Sequence, residues 1–199
     1  MFKFGKKVNN KLLSLITLLP KNGEVLDLGS GLGANNIFLA KQGFKIACLD
    51  KDKEVIKRLK KAYPNINAVE KDILKFNFQE KKYNLVLALN VLHFFNSKDI
   101  KLIINNILRS LKKDGLFYLQ VFSTKDSGYN KFLKSAKETE KNTFYSEKMR
   151  SFMHFFRKEE LIKFFSKNRI LEIEEKILKD SHPPRGKHKH AIIRILVRK

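Results

Sequence analysis

The sequence predicts an α/β fold with one seven-stranded, mostly parallel sheet and helices on both faces. Three observations support this prediction. Short apolar runs alternate with segments that repeat apolar residues at helical spacing. The run 83–89 is almost continuously apolar, as in a central parallel strand. A glycine loop joins the first strand to the first helix, as in nucleotide-binding half-units. The predicted strands are 25–28, 45–49, 66–69, 83–89, 116–122, 170–178 and 191–197.

The chain length of 199 residues favours a single domain covering 1–199. Residues 1–20 are expected to form an N-terminal amphipathic helix, and no run is long enough to span a membrane. The polar, Lys-rich segment 123–156 breaks the alternation, which predicts an insertion that acts either as a substrate lid or as a solvated connection. Cys48 is the only cysteine, so a reducing compartment, the cytoplasm, is predicted.

The segment DLGSGLG, from Asp27 to Gly33, carries the strongest functional signal. Its three glycines predict a loop whose backbone can approach a ligand closely. Asp50 lies 21 residues past Gly29, at the end of the next strand, where an acidic side chain meets a ribose in such units. Asp27 would repel the diphosphate of NAD, whereas it suits a cationic ligand such as S-adenosylmethionine (SAM). An NAD-dependent oxidoreductase is therefore the disfavoured alternative.

With this motif the sequence resembles the class I SAM-dependent methyltransferases, whose Rossmann-like sheet ends in an antiparallel C-terminal strand. Within that class, GLGANNIFLAKQGF, NVLHFF and the terminal ILVRK look most like the small-molecule methyltransferases related to tellurite-resistance proteins. The resemblance implies methyl transfer from SAM, with S-adenosylhomocysteine as product, to a small acceptor: a thiol, a hydroxyl or an oxyanion.

The resemblance also implies roles for side chains at the ends of the predicted strands. Asp50 would hold the ribose hydroxyls, and Asp72 with Ile73 would fix the adenine, although Asp72 alone is also typical of a loop cap. Asn90 and Val91 would line the methionine side. The expected cofactor-binding residues are Asp27, Gly29, Gly31, Gly33, Asn35, Asp50, Lys51, Asp72, Ile73, Asn90 and Val91.

Three residues are expected to act in catalysis. His93 is a candidate general base for a hydroxyl or thiol, although a lone histidine in an apolar run is equally typical of packing. His182 and Arg185 are the nearest counterparts of the His and Arg that the resembled proteins place near the acceptor. The expected substrate contacts are Phe94, Tyr145, His154 and His188. No metal is expected, because the cationic side chains around the C-terminal histidines would repel it.

The net charge of +22 leaves a nucleic-acid partner open. The lysines are interspersed with acidic residues, which is also typical of solvated helix faces. The alternatives are an RNA or other nucleic-acid methyltransferase and a basic nucleic-acid-binding domain. NVLHFF lacks the prolines of the Asn/Asp-Pro-Pro-aromatic motif found in some enzymes that methylate amines, which disfavours amino groups of bases as acceptors. The oligomeric state is not predicted.

Overall fold

The computed structural model describes residues 8–64, 66–182 and 186–199, with backbone only for 179–182 and 186–188. The helices are α1 (Lys11–Leu15), α2 (Ala34–Lys41), α3 (Lys53–Ala62), α4 (Ser97–Ser110), α5 (Ser127–Ser135) and α6 (Lys158–Phe164). The strands are β1 (Glu24–Leu28), β2 (Lys45–Asp50), β3 (Asn67–Glu70), β4 (Tyr83–Leu89), β5 (Leu111–Phe122), β6 (Lys137–Glu140), β7 (Thr143–Ser146), β8 (Ser151–His154), β9 (Arg169–His182) and β10 (Gly186–Arg198).

Seven strands form one sheet in the order β3-β2-β1-β4-β5-β10-β9. β1 pairs in parallel with β2 and with β4, and β2 pairs in parallel with β3. β10 runs antiparallel to β9. This mostly parallel sheet with an antiparallel C-terminal strand confirms the predicted fold class. The hairpin β9–β10 is longer than the predicted strands 170–178 and 191–197.

One compact unit contains the described residues up to Leu89, together with Asn106–Phe117 and Lys199. β1 and β4 form its centre, and four of the five β1 residues are buried. α3 begins at Lys53 because the Asp52 side chain accepts hydrogen bonds from two backbone amides of the first turn. Within the described part of the expected helix over 1–20, α1 is followed directly by a 3-10 helix, Ile16–Leu18. Within the described ranges, every helix is too short or too polar to span a membrane.

The second compact unit contains Asn90–Asn105 and Tyr118–Arg198. Between 123 and 156 it carries α5 and an antiparallel three-stranded sheet in the order β6-β7-β8. Phe144 pairs with Met153 across β7 and β8, and both pack with Phe155 into an aromatic core that also buries parts of α5. The segment predicted as a polar insertion therefore has a small core of its own.

Candidate functional site

The glycine loop after β1 has a backbone conformation that favours glycine. Gly29, Gly31 and Gly33 have φ values of 68°, 53° and 75°. The Gly29 amide donates to the carbonyl of Leu49 on β2 at 2.7 Å. A Cβ atom on Gly33 would lie 2.3 Å from Leu59 Cδ1 of α3. The backbone conformation and the packing at Gly33 together explain why glycines occupy these positions.

Asp50 connects the end of β2 to this loop. Its Oδ2 accepts a hydrogen bond from the Gly31 amide at 3.0 Å, and its Oδ1 accepts one from the Asp52 amide at 3.0 Å. Each carboxylate oxygen can accept more than one hydrogen bond, so Asp50 can hold the loop and still accept from a ligand hydroxyl. Lys51, which follows it, is exposed. The geometry suits the predicted ribose contact of Asp50.

Asp27 lies on β1 and is only 3% exposed. Burial raises the pKa of its carboxyl to about 7; the Asn36 amide opposes this and the charge of Asp50 adds to it. Near neutral pH the group is therefore close to half ionised. A cationic ligand placed beside it would favour the ionised form and be bound by it.

Two buried side chains, Ser30 in the glycine loop and Asn36 near Asp27, have polar atoms without hydrogen bonds. Ser30 Oγ and both amide atoms of Asn36 have no hydrogen-bond partner among the described residues. Asn36 is near enough to affect the pKa of Asp27, yet its amide does not meet hydrogen-bonding geometry. Buried polar atoms are normally satisfied, so these atoms are suited to hydrogen bonds with a polar ligand. These atoms and Asp27 fit a cationic, hydroxyl-bearing cofactor.

The sequence prediction did not include Ser30 or Asn36. Ser30 stands between two predicted glycines, which was an available signal, whereas the burial of Asn36 was not evident from the sequence. The predicted residue Asn35 makes a different contact, because its Oδ1 accepts from the Asn9 amide at 2.8 Å. Asn35 thus ties the start of α2 to the segment before α1.

Asp72 and Ile73 lie just after β3. Asp72 Oδ1 accepts from the Leu74 amide at 2.9 Å and so caps the short 3-10 helix Ile73–Lys75, the alternative that the sequence left open. Ile73 is buried. The cap uses one oxygen of Asp72, and the apolar side chain beside it is of the kind that packs on an adenine ring.

In the second unit, Asn90 directly follows β4 and adopts φ of 60°. Its backbone amide donates to the Gln120 carbonyl at 2.9 Å, and its Oδ1 accepts from Gln120 Nε2 at 3.0 Å. Asparagine tolerates this left-handed conformation better than most residues. Val91 is half-buried. Two hydrogen bonds to β5 therefore hold Asn90 in place.

His93 is 1% exposed and packs among aromatic rings. Its ring stacks on Phe122 with centroids 4.4 Å apart, and Phe94 meets its edge at the same distance. Burial lowers the pKa of His93 to about 3; the carboxylate of Asp126 opposes this, and two other histidines reinforce it. A neutral ring with this pKa accepts protons poorly at neutral pH. The structure thus favours the packing alternative for His93 over the general base.

A histidine–carboxylate pair, formed by half-buried His190 and buried Asp126, lies next to this stack. Asp126 Oδ2 is 2.9 Å from His190 Nδ1 and also accepts from the Ala191 amide at 2.9 Å. The His190 ring stacks on Phe122, the same ring on which His93 stacks, with centroids 5.0 Å apart. His190 belongs to the histidine-rich end of the sequence but was not among the predicted site residues. Asp126 had no sequence signal.

His154 was expected to contact the substrate, yet it is 1% exposed and both ring nitrogens have protein partners. Its Nδ1 is 2.7 Å from Thr143 Oγ1, and its Nε2 is 3.0 Å from Glu160 Oε1. The ring therefore links β7 and β8 to α6. Such contacts are those of a structural residue.

Tyr145 is half-buried and lies at an open cavity of about 740 Å³. Phe132 and Phe152 also line this cavity, and Lys137 and Lys148 contribute cationic groups. The Tyr145 and Phe152 rings meet edge to face at 5.3 Å. Glu147 also lines the cavity, which therefore combines aromatic surface with two cationic groups and one anionic group.

Three predicted residues lie outside what the structure describes. Arg185 falls in an undescribed segment, and for His182 and His188 only the backbone, at the ends of β9 and β10, is described. Their roles stay predictions.

Comparison with known proteins gives a family match and two curated relatives. The methyltransferase domain family matches residues 25–115. Ribosomal RNA small subunit methyltransferase A of Mesomycoplasma hyopneumoniae is 29% identical over 99 residues, which are 49% of this chain and 37% of that protein. Its counterpart in Malacoplasma penetrans is 27% identical over 79 residues, 40% of this chain and 29% of that protein. The chain thus spans about a third of the length of these relatives.

Solved structures share the fold over nearly the whole chain. A SAM-dependent methyltransferase from Methanosarcina mazei has a TM-score of 0.80 at 19% identity, covering 97% of this chain and 98% of that one. TehB from Haemophilus influenzae has a TM-score of 0.77 at 20% identity, and the match covers 98% of this chain and 63% of that one. The 1,6-didemethyltoxoflavin-N1-methyltransferase of Burkholderia thailandensis was solved with 1,6-didemethyltoxoflavin and S-adenosylhomocysteine bound. It has a TM-score of 0.69 at 16% identity, and the match covers 95% of this chain and 75% of that one.

Proposed function

We propose that the chain is a class I SAM-dependent methyltransferase, as its methyltransferase-domain match in residues 25–115 and its fold support. In this proposal it transfers the methyl group of SAM to a small-molecule acceptor: a thiol, a hydroxyl or an oxyanion. The observation that carries the proposal is the buried Asp27 near the unsatisfied Asn36, together with a glycine loop that contains the unsatisfied Ser30 and is held by Asp50. This arrangement suits a ligand with positive charge and ribose hydroxyls.

Each cofactor role follows from the chemistry of one side chain. Asp27 in its ionised form binds the methionine ammonium, directly or through water. Asp50 accepts from the ribose hydroxyls while it keeps its bond to the Gly31 amide. Asp72 accepts from the adenine amino group, and the buried Ile73 packs on the ring. Asn90 lies at the end of β4, on the methionine side.

Two observations support a small acceptor. The toxoflavin methyltransferase, which shares the fold over 95% of this chain, holds a small-molecule substrate. The cavity at Tyr145, about 740 Å³, has the volume and the aromatic lining of a small-molecule site. Its two lysines outnumber its one glutamate, which favours an anionic compound.

The reaction needs alignment more than proton transfer. When bound, SAM supplies a methyl group on a positively charged sulfur. The protein must place the acceptor atom in line with the carbon–sulfur bond and exclude water, and such alignment contributes several kcal/mol. In this proposal the neutral, buried His93 does not remove a proton. His182 and Arg185 bind the acceptor. The single cysteine, Cys48, favours a cytoplasmic enzyme.

Calorimetry with SAM and S-adenosylhomocysteine tests the cofactor, and radiolabelled methyl transfer to thiols, oxyanions and unmodified RNA tests the acceptor. Folded protein that binds neither cofactor form would refute the proposal. His182→Ala and Arg185→Ala should keep wild-type SAM affinity and lose turnover. If the two variants lost SAM binding instead, their assignment to the acceptor would be wrong.

A second candidate is a ribosomal RNA or other nucleic-acid methyltransferase. The net charge of +22 and the two ribosomal RNA methyltransferase relatives favour it. RNA binding measured at increasing salt separates the candidates. Affinity that survives moderate salt, with methyl transfer to RNA, would support the second candidate, while loss of all binding indicates a solvated charged surface.

A further inference from the structure

A chain of hydrogen bonds runs from the C-terminal hairpin to Asn90. Glu174 on β9 accepts from Arg194 Nη1 at 3.3 Å, and Arg194 Nε donates to Gln120 Oε1 at 2.7 Å. Gln120 Nε2 in turn donates to Asn90 Oδ1 at 3.0 Å. We call Glu174, Arg194 and Gln120 the amide relay. Gln120 is 7% exposed, so water does not compete freely for its amide.

The relay has only one chemically allowed direction. A guanidinium donates hydrogen bonds and accepts none, so the Gln120 atom that faces Arg194 must be its oxygen. The Gln120 nitrogen then faces Asn90, and the Asn90 atom that meets it must be its oxygen. The donor group of Asn90, Nδ2, is left as the end of the side chain that a ligand can meet. Arg194 thereby determines, through Gln120, which atom of the Asn90 amide faces inward and which faces a ligand.

Glu174 keeps Arg194 in place. Burial alone would raise the pKa of Glu174, but hydrogen bonds and charge from Lys176 and Arg194 outweigh it and lower the pKa. Glu174 is therefore ionised and pairs with Arg194. The pair spans the antiparallel hairpin, because Glu174 and Arg194 are register partners.

We propose that the amide relay fixes Asn90 as a hydrogen-bond donor, so that the ligand atom it meets is an acceptor oxygen or sulfur and not an amine N–H. This inference rests on the proposed function for the identity of the ligand. Asn90 is the binding residue, and Gln120 and Arg194 are positioning residues. Where the ligand that Asn90 meets is the methyl acceptor, the relay selects against amines, which need an oxygen at this position.

Two ligands carry a suitable acceptor atom: SAM, through its carboxylate, and an anionic methyl acceptor. Decarboxylated SAM distinguishes them. If Asn90 meets the SAM carboxylate, a change in the relay weakens SAM and leaves decarboxylated SAM unaffected. If it meets the acceptor, the same change raises KM for 2-mercaptoethanol or selenite and leaves the SAM Kd unaffected.

Gln120→Glu inverts the relay without removing it. One carboxylate oxygen still accepts from Arg194, while the other faces Asn90 and requires the Asn90 amide to turn its nitrogen inward. The ligand then meets Asn90 Oδ1 in place of Nδ2. Loss of a hydrogen bond to an anionic group weakens binding by about 10- to 100-fold. Gln120→Met removes the relay without inverting it, so it should weaken ligand binding less than Gln120→Glu does. In Arg194→Lys the new side chain still only donates hydrogen bonds, so the direction of the hydrogen bonds in the relay is kept.

Side-chain amide exchange measured by NMR on the ligand-free protein tests the relay without any assay of function. In the wild type and in Arg194→Lys, the Gln120 NH₂ should be protected from exchange and the Asn90 NH₂ should exchange rapidly. In Gln120→Glu the Asn90 NH₂ should become protected. An unchanged Asn90 NH₂ in folded Gln120→Glu would overturn the relay. Equal binding losses in Gln120→Glu and Gln120→Met would overturn the donor role, even if SAM binding itself is confirmed.

Discussion

Replacing Asp27 by asparagine should make the free energy of unfolding less dependent on pH. Asp27 is 3% exposed, and its pKa rises from 3.8 to about 7, chiefly because of burial. Ionising it in the folded protein therefore costs roughly 4 kcal/mol. The folded protein holds a proton that the unfolded chain releases above about pH 4, so this group lowers stability as the pH rises from about 4 to 7. Asp27→Asn removes that loss and should gain up to roughly 4 kcal/mol over the wild type above pH 7.

The same carboxyl should make SAM binding depend on pH in the opposite sense. Because the cation of SAM favours ionised Asp27, binding releases a proton wherever the free group is protonated. Between about pH 5 and pH 7 the wild-type Kd should tighten by roughly 50-fold. Asp27→Asn should bind SAM more weakly near pH 7 and show no such dependence.

Isothermal calorimetry in two buffers of different ionisation enthalpy measures both the Kd and the protons released. Circular dichroism at each pH confirms that the protein is folded. A wild-type Kd constant within about threefold from pH 5 to pH 7, without proton release, would show that Asp27 does not meet the cation. Wild-type affinity in Asp27→Asn would lead to the same conclusion.

Other predictions concern the loop and the small sheet. Gly33→Ala should lower the free energy of unfolding, measured in urea, by about 3 kcal/mol, because the new Cβ meets Leu59. Gly43→Ala is the control: its φ is similar but it has more space, so it should lower the free energy of unfolding by about 1 kcal/mol. Equal losses in the two variants would argue against the Leu59 contact. Asp50→Ala should weaken SAM binding by at least about 100-fold, since it removes both a ligand contact and the support of the loop, and an unchanged Kd would contradict its role. His154→Ala should lower stability by about 2–4 kcal/mol in the same unfolding assay and leave the SAM Kd unchanged, and weaker SAM binding would contradict a purely structural role.

The first compact unit is predictable because the sequence signals for its strands and loops are local. A continuous apolar strand, glycines that require positive φ and an acidic cap such as Asp52 each lie within a few residues of what they determine. The prediction that Asp27 disfavours a diphosphate also used local reasoning, since it depends only on the charge of this side chain. The raised pKa of Asp27 did not follow in this way, because burial depends on the whole sheet.

The second compact unit is harder to predict, because it depends on contacts between residues that are distant in the sequence. Asp126 and His190 are 64 residues apart, and Gln120 and Arg194 are 74 apart, so no spacing in the sequence indicates either pair. The strands β6, β7 and β8 have four residues each, too few for a clear alternation. The burial that makes His93 a poor base likewise comes from β5, far along the chain.

Besides its proposed contact with the ribose, Asp50 holds the glycine loop in place, since one of its oxygens accepts a hydrogen bond from the Gly31 amide. The cradle for the nucleoside is consequently preformed, and little ordering entropy is lost when the nucleoside enters. An engineer who wished to change the sugar preference at this position would also release the loop, so redesign of the pocket has to treat Asp50 and Gly31 as one element.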